Sequence, residues 1–162
     1  MTVAQPAFFG PQWAGVVKAA LTAGPADQAR AGKLQEYWDF FELIKSMYPA
    51  SWALGCRDLP ASLGNGRAYL FVRWAGGTVT DCRVVRPDDA GGPPQASYVL
   101  GMDYADWKAL HESYDAQRTV MYRKVLLEDG DLLEFFKTIY FFVECLAVIG
   151  AVPADYPAPA RT

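Results

Sequence analysis

Two short strands flank two capped helices in residues 98–133, which read YVLGMDYADWKALHESYDAQRTVMYRKVLLEDGDLL. Residues 96–101 form a short apolar run typical of a buried strand, and residues 125–128 return to extended chain after the helices. Strands and helices that alternate over so short a distance favour a sheet covered by helices. The sequence therefore predicts an α+β domain.

Acidic side chains mark where the two helices of this segment begin. Asp103 is placed as an N-cap, with Asp106 in the first turn of a helix that carries Trp107. Asp115 offers a second N-cap, for a helix that reaches about Met121. Both helices are thus predicted to be short.

A long apolar helix is predicted over about 131–149, where Asp131 and Glu134 form a capping-box-like start. Glu134, Lys137 and Glu144 interrupt its hydrophobicity at helical spacing, which indicates an amphipathic helix rather than a membrane span. A helical wheel places one set of residues on a solidly apolar face: Leu132, Phe135, Phe136, Ile139, Phe142, Val143 and Leu146. That face can belong to the core, to a ligand cavity or to an oligomer interface.

Phe141 is the exception on this helix. The same wheel places it in the charged stripe between Lys137 and Glu144. We therefore expect Phe141 to be exposed, or to take part in a dimer contact or a mobile lid.

Upstream of this segment, the sequence predicts a hairpin preceded by helices. Residues 67–86 are aromatic and β-branched, with a turn at Gly76-Gly77, and therefore predict two antiparallel strands. Helices are predicted over 11–23 and about 33–47, each ended by a proline-containing break. Residues 50–66 contain turn-formers and show no clear period.

The whole chain is predicted to be one domain, because its 162 residues suit a single core. Residues 1–66 form a helical lead-in to a core over 67–150, and residues 151–162, which are rich in proline, form a flexible tail. The loop predicted at residues 87–94 separates the hairpin from the strand that follows.

Residues 67–150 resemble sterol-carrier-like domains (type-2 sterol carrier protein, non-specific lipid-transfer family). The match lies in the order strand, acidic cap, tryptophan helix, aspartate-led helix, lysine-led strand and Gly-Asp step. The residues that carry it are Asp103, Trp107, Leu110, Asp115, Met121, Lys124, Gly130 and Asp131. The chain departs from the pattern at Arg123, where a glycine usually precedes the lysine, and by one extra residue between Lys124 and Asp131.

The resemblance implies a small twisted sheet of about four to five strands covered by helices, with a hydrophobic tunnel between the two layers. Such a tunnel would accept sterols, fatty acyl chains or other apolar molecules, and the resemblance brings no catalytic residue and no cofactor. The residues expected to line it are Trp107, Met121, Phe135, Phe136, Ile139, Phe142, Val143 and Leu146.

Composition and motifs argue against several other classes of protein. The 15 Lys and Arg are scattered among 18 Asp and Glu, so no basic patch for nucleic acid is expected. Cys56, Cys82 and Cys145 lack paired spacing, and with a single histidine they predict no zinc site and no other metal site. No glycine motif has the lysine or the helix that a nucleotide-binding loop requires.

Three functions remain open. The leading one is a binding module that carries an apolar small molecule, for which 52% hydrophobic and 14% aromatic residues supply more apolar surface than a core needs. The second is a small enzyme that uses the same tunnel, with Tyr98, Tyr114, His111 or buried carboxylates as acid-base groups, although His111 is expected at the surface end of its helix. The third is a non-catalytic partner subunit.

The predicted setting follows from the same features. Residues 1–10 do not have the pattern of a secretory signal, so a cytoplasmic protein is expected. A carrier would deliver its ligand to a membrane or an enzyme, so a transient partner of either kind is expected, and a homodimer is possible through the last helix.

Overall fold

Five strands form one open sheet in the computed structural model of the chain, which describes residues 5–87 and 93–157. The strands are β1 (Ser51–Leu59), β2 (Gly66–Ala75), β3 (Thr78–Val85), β4 (Tyr98–Asp103) and β5 (Leu126–Asp129). Their order is β3-β2-β1-β4-β5, with β1 and β4 parallel and the other neighbours antiparallel. The predicted α+β class is confirmed.

The helices are α1 (Pro11–Ala23), α2 (Asp27–Arg30), α3 (Gln35–Met47), α4 (Tyr104–His111), α5 (Ala116–Met121), α6 (Leu132–Lys137) and α7 (Ile139–Ala151). A 3₁₀ turn covers Ala61–Leu63. Helices α1, α3, α4 and α5 agree with the predicted positions at one end or both, α6 begins just after the predicted cap Asp131, and α2 was not predicted.

The central strand β1 is the largest error of the sequence analysis, which found no period over residues 50–66. Both faces of β1 are buried: Trp52 and Leu54 face the main core, whereas Ala53 belongs to a small cluster with Tyr69 and Val99 on the other face. A strand buried on both sides has no alternation of apolar and polar residues. The predicted division into a lead-in over 1–66 and a core over 67–150 is therefore misplaced, because it assigns the central strand β1 to the lead-in.

The predicted hairpin is present as β2 and β3. Gly76 and Gly77 join the strands with φ values of 58° and 83°, and two successive positive φ angles are what a tight hairpin turn requires. The loop predicted at 87–94 includes residues 88–92, which lie outside the described residues.

The predicted final helix is two helices, because the backbone breaks at Thr138, where φ is −120° and ψ is 27°. The Thr138 backbone N–H bonds the carbonyl of Phe135 at 3.2 Å, and the Thr138 carbonyl accepts from Phe142 N at 3.2 Å as α7 begins. The break changes the rotation of α7 relative to α6. One continuous helical wheel is therefore wrong for residues beyond 138.

Phe141 is buried, contrary to prediction, and is only 3% exposed. Its ring lies 4.7 Å from that of Tyr48 and 5.2 Å from those of Phe41 and Trp74. The break at Thr138 turns Phe141 into this aromatic cluster, so the dimer contact or lid predicted at this position has no basis.

Glu144 is also buried, although the wheel placed it on the solvent side. It accepts a hydrogen bond from Lys33 and another, of 2.8 Å, from the Tyr37 hydroxyl. Burial and the neighbouring carboxylate raise the pKa of Tyr37. The pair between Lys33 and Glu144 holds the N-terminal region against α7.

The predicted C-terminal tail, residues 151–162, is packed onto the domain as far as residue 157. The Phe8 amide donates to the carbonyl of Asp155 at 3.1 Å, and the Tyr156 ring stacks on Phe8 at 4.2 Å. Residues 158–162 lie outside the described residues. Among residues 5–87 and 93–157, no helix has both the length and the hydrophobicity needed to cross a membrane.

Candidate functional site

A cavity of about 600 Å³ lies between the β4–β5 end of the sheet and helices α5, α6 and α7. Most of its lining is aliphatic or aromatic. The lining residues are Leu100, Gln117, Val120, Met121, Arg123, Val125, Leu126, Leu127, Leu132, Phe135, Phe136, Ile139, Tyr140, Phe142 and Val143. Its volume falls within the range of about 300–1,000 Å³ that is usual for small-molecule sites.

The inner wall is tied to the core by aromatic contacts. Phe135 is 4% exposed, and its ring lies 5.2 Å from Tyr98 and 5.1 Å from Phe142. The Phe142 ring in turn packs edge to face against the ring of Trp52, on the central strand β1, with 5.3 Å between the ring centroids. Because these rings also pack against the core, this side of the cavity is rigidly held.

Helix α5 forms another wall, and hydrogen bonds fix both of its ends. The Asp115 carboxylate accepts from Arg118 N at 3.1 Å, which confirms the predicted N-cap. At the other end, Lys124 N donates to the Thr119 carbonyl at 3.0 Å and Arg123 N donates to the Val120 carbonyl at 3.1 Å. These two bonds define a Schellman motif in which Arg123 occupies the left-handed position, with φ of 60°.

The cavity opens among exposed apolar side chains. Met121 is 65% exposed, Tyr140 is 55% exposed, and Leu132 and Phe136 are each 53% exposed. Leu132 and Phe136 were expected on the buried face of the last helix, but α6 lies at the rim, where their outer surfaces meet solvent. The rim is therefore mostly apolar on the outside as well as within, apart from the Tyr140 hydroxyl and the exposed Arg123.

The structure brings together most of the residues that the sequence analysis assigned to the ligand. The six that line the cavity are Met121, Phe135, Phe136, Ile139, Phe142 and Val143. Trp107 and Leu146 lie elsewhere, each 1% exposed in the core. Trp107 donates from Nε1 to the Gly55 carbonyl at 3.2 Å, so its polar edge contacts the sheet.

The β4–β5 strand pair supplies lining residues that the sequence analysis did not name. Leu100 and Leu127 are register partners on β4 and β5, and both line the cavity. The signal in the sequence that could have identified them was the apolar run Val125, Leu126 and Leu127, which lies within the extended stretch predicted over 125–128. All three of these residues line the cavity.

A second, polar groove of about 370 Å³ lies between α4, α5 and α7. Lys33, His111, Tyr114 and Glu144 are among its lining residues. His111, the last residue of α4 and half-buried, is held by a 2.9 Å hydrogen bond between Nδ1 and the Gly150 carbonyl and stacks on Tyr156 at 4.4 Å. The acid-base candidates His111 and Tyr114 are therefore outside the apolar cavity.

The three cysteines and Tyr98 are all buried except Cys82, which is half-buried. Burial raises the pKa of the Cys145 and Cys56 thiols and takes that of Cys82 to about 12. Burial, and to a lesser degree the charges of Glu134 and Asp131, raises the pKa of Tyr98. Within the described part of the chain, no three His, Cys, Asp or Glu side chains are grouped to hold a metal ion.

Comparison with solved structures identifies the fold. The chain superposes on a crystal structure of sterol carrier protein 2 with a TM-score of 0.67 and 18% identity, over 90% of this chain and 98% of that one. It also superposes on the solution structure of a conserved hypothetical protein from Thermus thermophilus, described as a candidate sterol carrier, with a TM-score of 0.65 and 16% identity, over 98% and 100% of the two chains. No protein-family model and no curated protein matches the sequence.

Proposed function

We propose, from its sterol-carrier-like fold and apolar cavity, that this protein binds an apolar small molecule such as a sterol, a fatty acyl chain or another lipid-like compound, and carries or presents it. The observation on which the proposal rests is the cavity of about 600 Å³ with its apolar lining. A cavity of this size is far larger than the voids of tightly packed interiors, few of which exceed a water molecule, and its apolar wall suits an apolar ligand.

Carriage is favoured over catalysis by the distribution of polar groups. Of the residues that the structure describes, only Gln117, Arg123 and Tyr140 bring polar side chains to the lining, and Tyr140 is mostly exposed. An acid-base site needs titratable groups that converge on one reacting atom. His111 and Tyr114, the residues best suited to that chemistry, line the adjoining polar groove rather than the cavity, although the two share Gln117 and Val143 as lining residues.

Delivery to a lipid bilayer follows from the apolar rim. Met121, Leu132 and Phe136 surround the opening and expose apolar surface next to the ligand. A ligand that leaves through this opening into a bilayer would remain in contact with apolar groups. We therefore propose a transient contact with membranes rather than a permanent partner.

The expected affinity can be worked out from the ligand. Burial of an acyl chain of about sixteen carbons contributes about 12 kcal/mol at about 0.8 kcal/mol per CH₂, and association opposes it by about 4 kcal/mol. The difference of about 8 kcal/mol corresponds to a dissociation constant of about 1 μM. Because the attraction is hydrophobic, we expect it to persist at high salt.

The test is a fluorescence titration with cis-parinaric acid on the wild type and two matched leucine variants. Leu127→Glu places a carboxylate in the lining, whereas Leu43→Glu places it on the exposed surface of α3, outside the cavity. We expect Leu127→Glu to weaken binding by at least about tenfold, because a buried charge opposes an apolar ligand, and Leu43→Glu to leave it unchanged. Absence of binding at tens of micromolar, or equal loss in both folded variants, would contradict the proposal.

A further inference from the structure

Arg123 is the one charged residue among the described residues that line the cavity. No carboxylate of the described residues shares that lining with it. Other cations nearby are engaged: Lys124 pairs with Asp106 at 3.4 Å, and Lys137 pairs with Glu134 at 2.8 Å. None of the ion pairs formed within residues 5–87 and 93–157 includes Arg123.

The backbone at Arg123 makes the choice of residue unusual. Its φ of 60° lies in the left-handed region, at the position of the Schellman motif where glycine is preferred because it has no Cβ. An arginine there is strained, and strained residues concentrate at sites of function. Since Arg123 is exposed and makes no described ion pair, the fold gains no evident compensation for that strain.

Gln117 supplies a second polar group to the same lining. Its side-chain amide makes one described contact, with the Met121 sulfur at 3.7 Å, which is a weak hydrogen bond. Gln117 lies on α5 and Arg123 just beyond its end, so both belong to the wall formed by this helix. The cavity thus combines an apolar interior with two donor groups on the α5 side, whereas the hydroxyl of the mostly exposed Tyr140 lies on α7.

We propose that Arg123 makes the cavity selective for anionic amphiphiles, with a long apolar chain inside and a carboxylate bound to the guanidinium at the opening. This inference rests on the proposed function. A guanidinium can donate two parallel hydrogen bonds to a carboxylate, and such charge-assisted bonds are stronger than neutral ones. An ester of the same chain presents no charge, so Arg123 discriminates between the two by head group.

The experiment compares cis-parinaric acid with its methyl ester, at a pH where the acid is ionised, by fluorescence titration. The variants are Arg123→Gln, Arg123→Gly and the control Arg118→Gln, which removes a positive charge from the exposed surface of α5 but outside the cavity lining. We expect the wild type and Arg118→Gln to bind the acid about tenfold more tightly than the ester, and both Arg123 variants to bind the two equally. The preference should decrease in high salt while ester binding persists.

The possible results separate this inference from the function on which it rests. If the wild type binds acid and ester equally, or if Arg118→Gln removes the preference as Arg123→Gln does, the head-group assignment is overturned and the apolar carrier remains. If the wild type binds neither probe, the proposed function fails, and the role of Arg123 fails with it. Arg123→Gly, which suits the backbone, keeps the test valid if Arg123→Gln is poorly folded.

Discussion

Replacement of Arg123 by glycine is expected to make the protein more stable. A positive φ destabilises a residue with a Cβ by about 1–2 kcal/mol, and glycine, which has no Cβ, avoids this strain. Glycine also gives the unfolded chain more freedom, which lowers the free energy of unfolding by about 0.4–1 kcal/mol. The balance is a gain of about 0.5–1 kcal/mol for Arg123→Gly, because Arg123 forms no described ion pair that would be lost.

The assay is urea unfolding followed by circular dichroism, with Arg118→Gly as the matched control. Arg118 lies within α5, where glycine should cost about 1 kcal/mol relative to a good helix former. The same substitution five positions apart is thus expected to change stability in opposite directions. If Arg123→Gly lowers the free energy of unfolding as Arg118→Gly does, the backbone at 123 is not left-handed and the argument from strain is refuted.

Two further predictions concern buried polar groups. Lys33→Ala should lower the free energy of unfolding by about 1–3 kcal/mol, because the buried Glu144 loses its cationic partner. Lys33→Arg keeps a cation at this position and should retain most of the stability in the same urea assay. Burial raises the pKa of the Cys56 thiol from its ordinary value of 9.0 and takes that of Tyr48 to about 12. Above about pH 9 the unfolded chain releases protons that the folded chain retains, so stability should fall between about pH 9 and 12. Urea midpoints measured at several alkaline pH values check this, and a rise in stability over that range, or the same slope in Cys56→Ala, would contradict it.

Local signals in the sequence were enough for the parts of the fold that depend on local chemistry. Gly76-Gly77 between two β-branched runs predicts the hairpin, and Asp115 predicts the start of α5, because turns and caps are determined by a few neighbouring residues. The structure confirms both. Six of the eight residues assigned to the ligand also line one cavity.

The errors arise where tertiary contacts override local pattern. β1 has no alternation because it is buried on both faces, and only its position at the centre of the sheet explains residues such as Ala53. The break at Thr138 moves Phe141 into the core and Glu144 toward Lys33, and a wheel drawn for one helix cannot show it. Trp107 and Leu146 have the apolar character of lining residues, but contacts with the sheet and core place them elsewhere.

The most direct test of the account is to locate a bound chain by NMR. Hexadecanoic acid labelled with ¹³C would be added to the unlabelled protein, and nuclear Overhauser contacts recorded from its methylene groups. We predict contacts to the methyl groups of Val120, Leu127 and Ile139, which line the cavity. Contacts confined to Ile44 on α3 or to Ala147 in the polar groove, or no contacts at millimolar ligand, would contradict the claim that this cavity is the binding site.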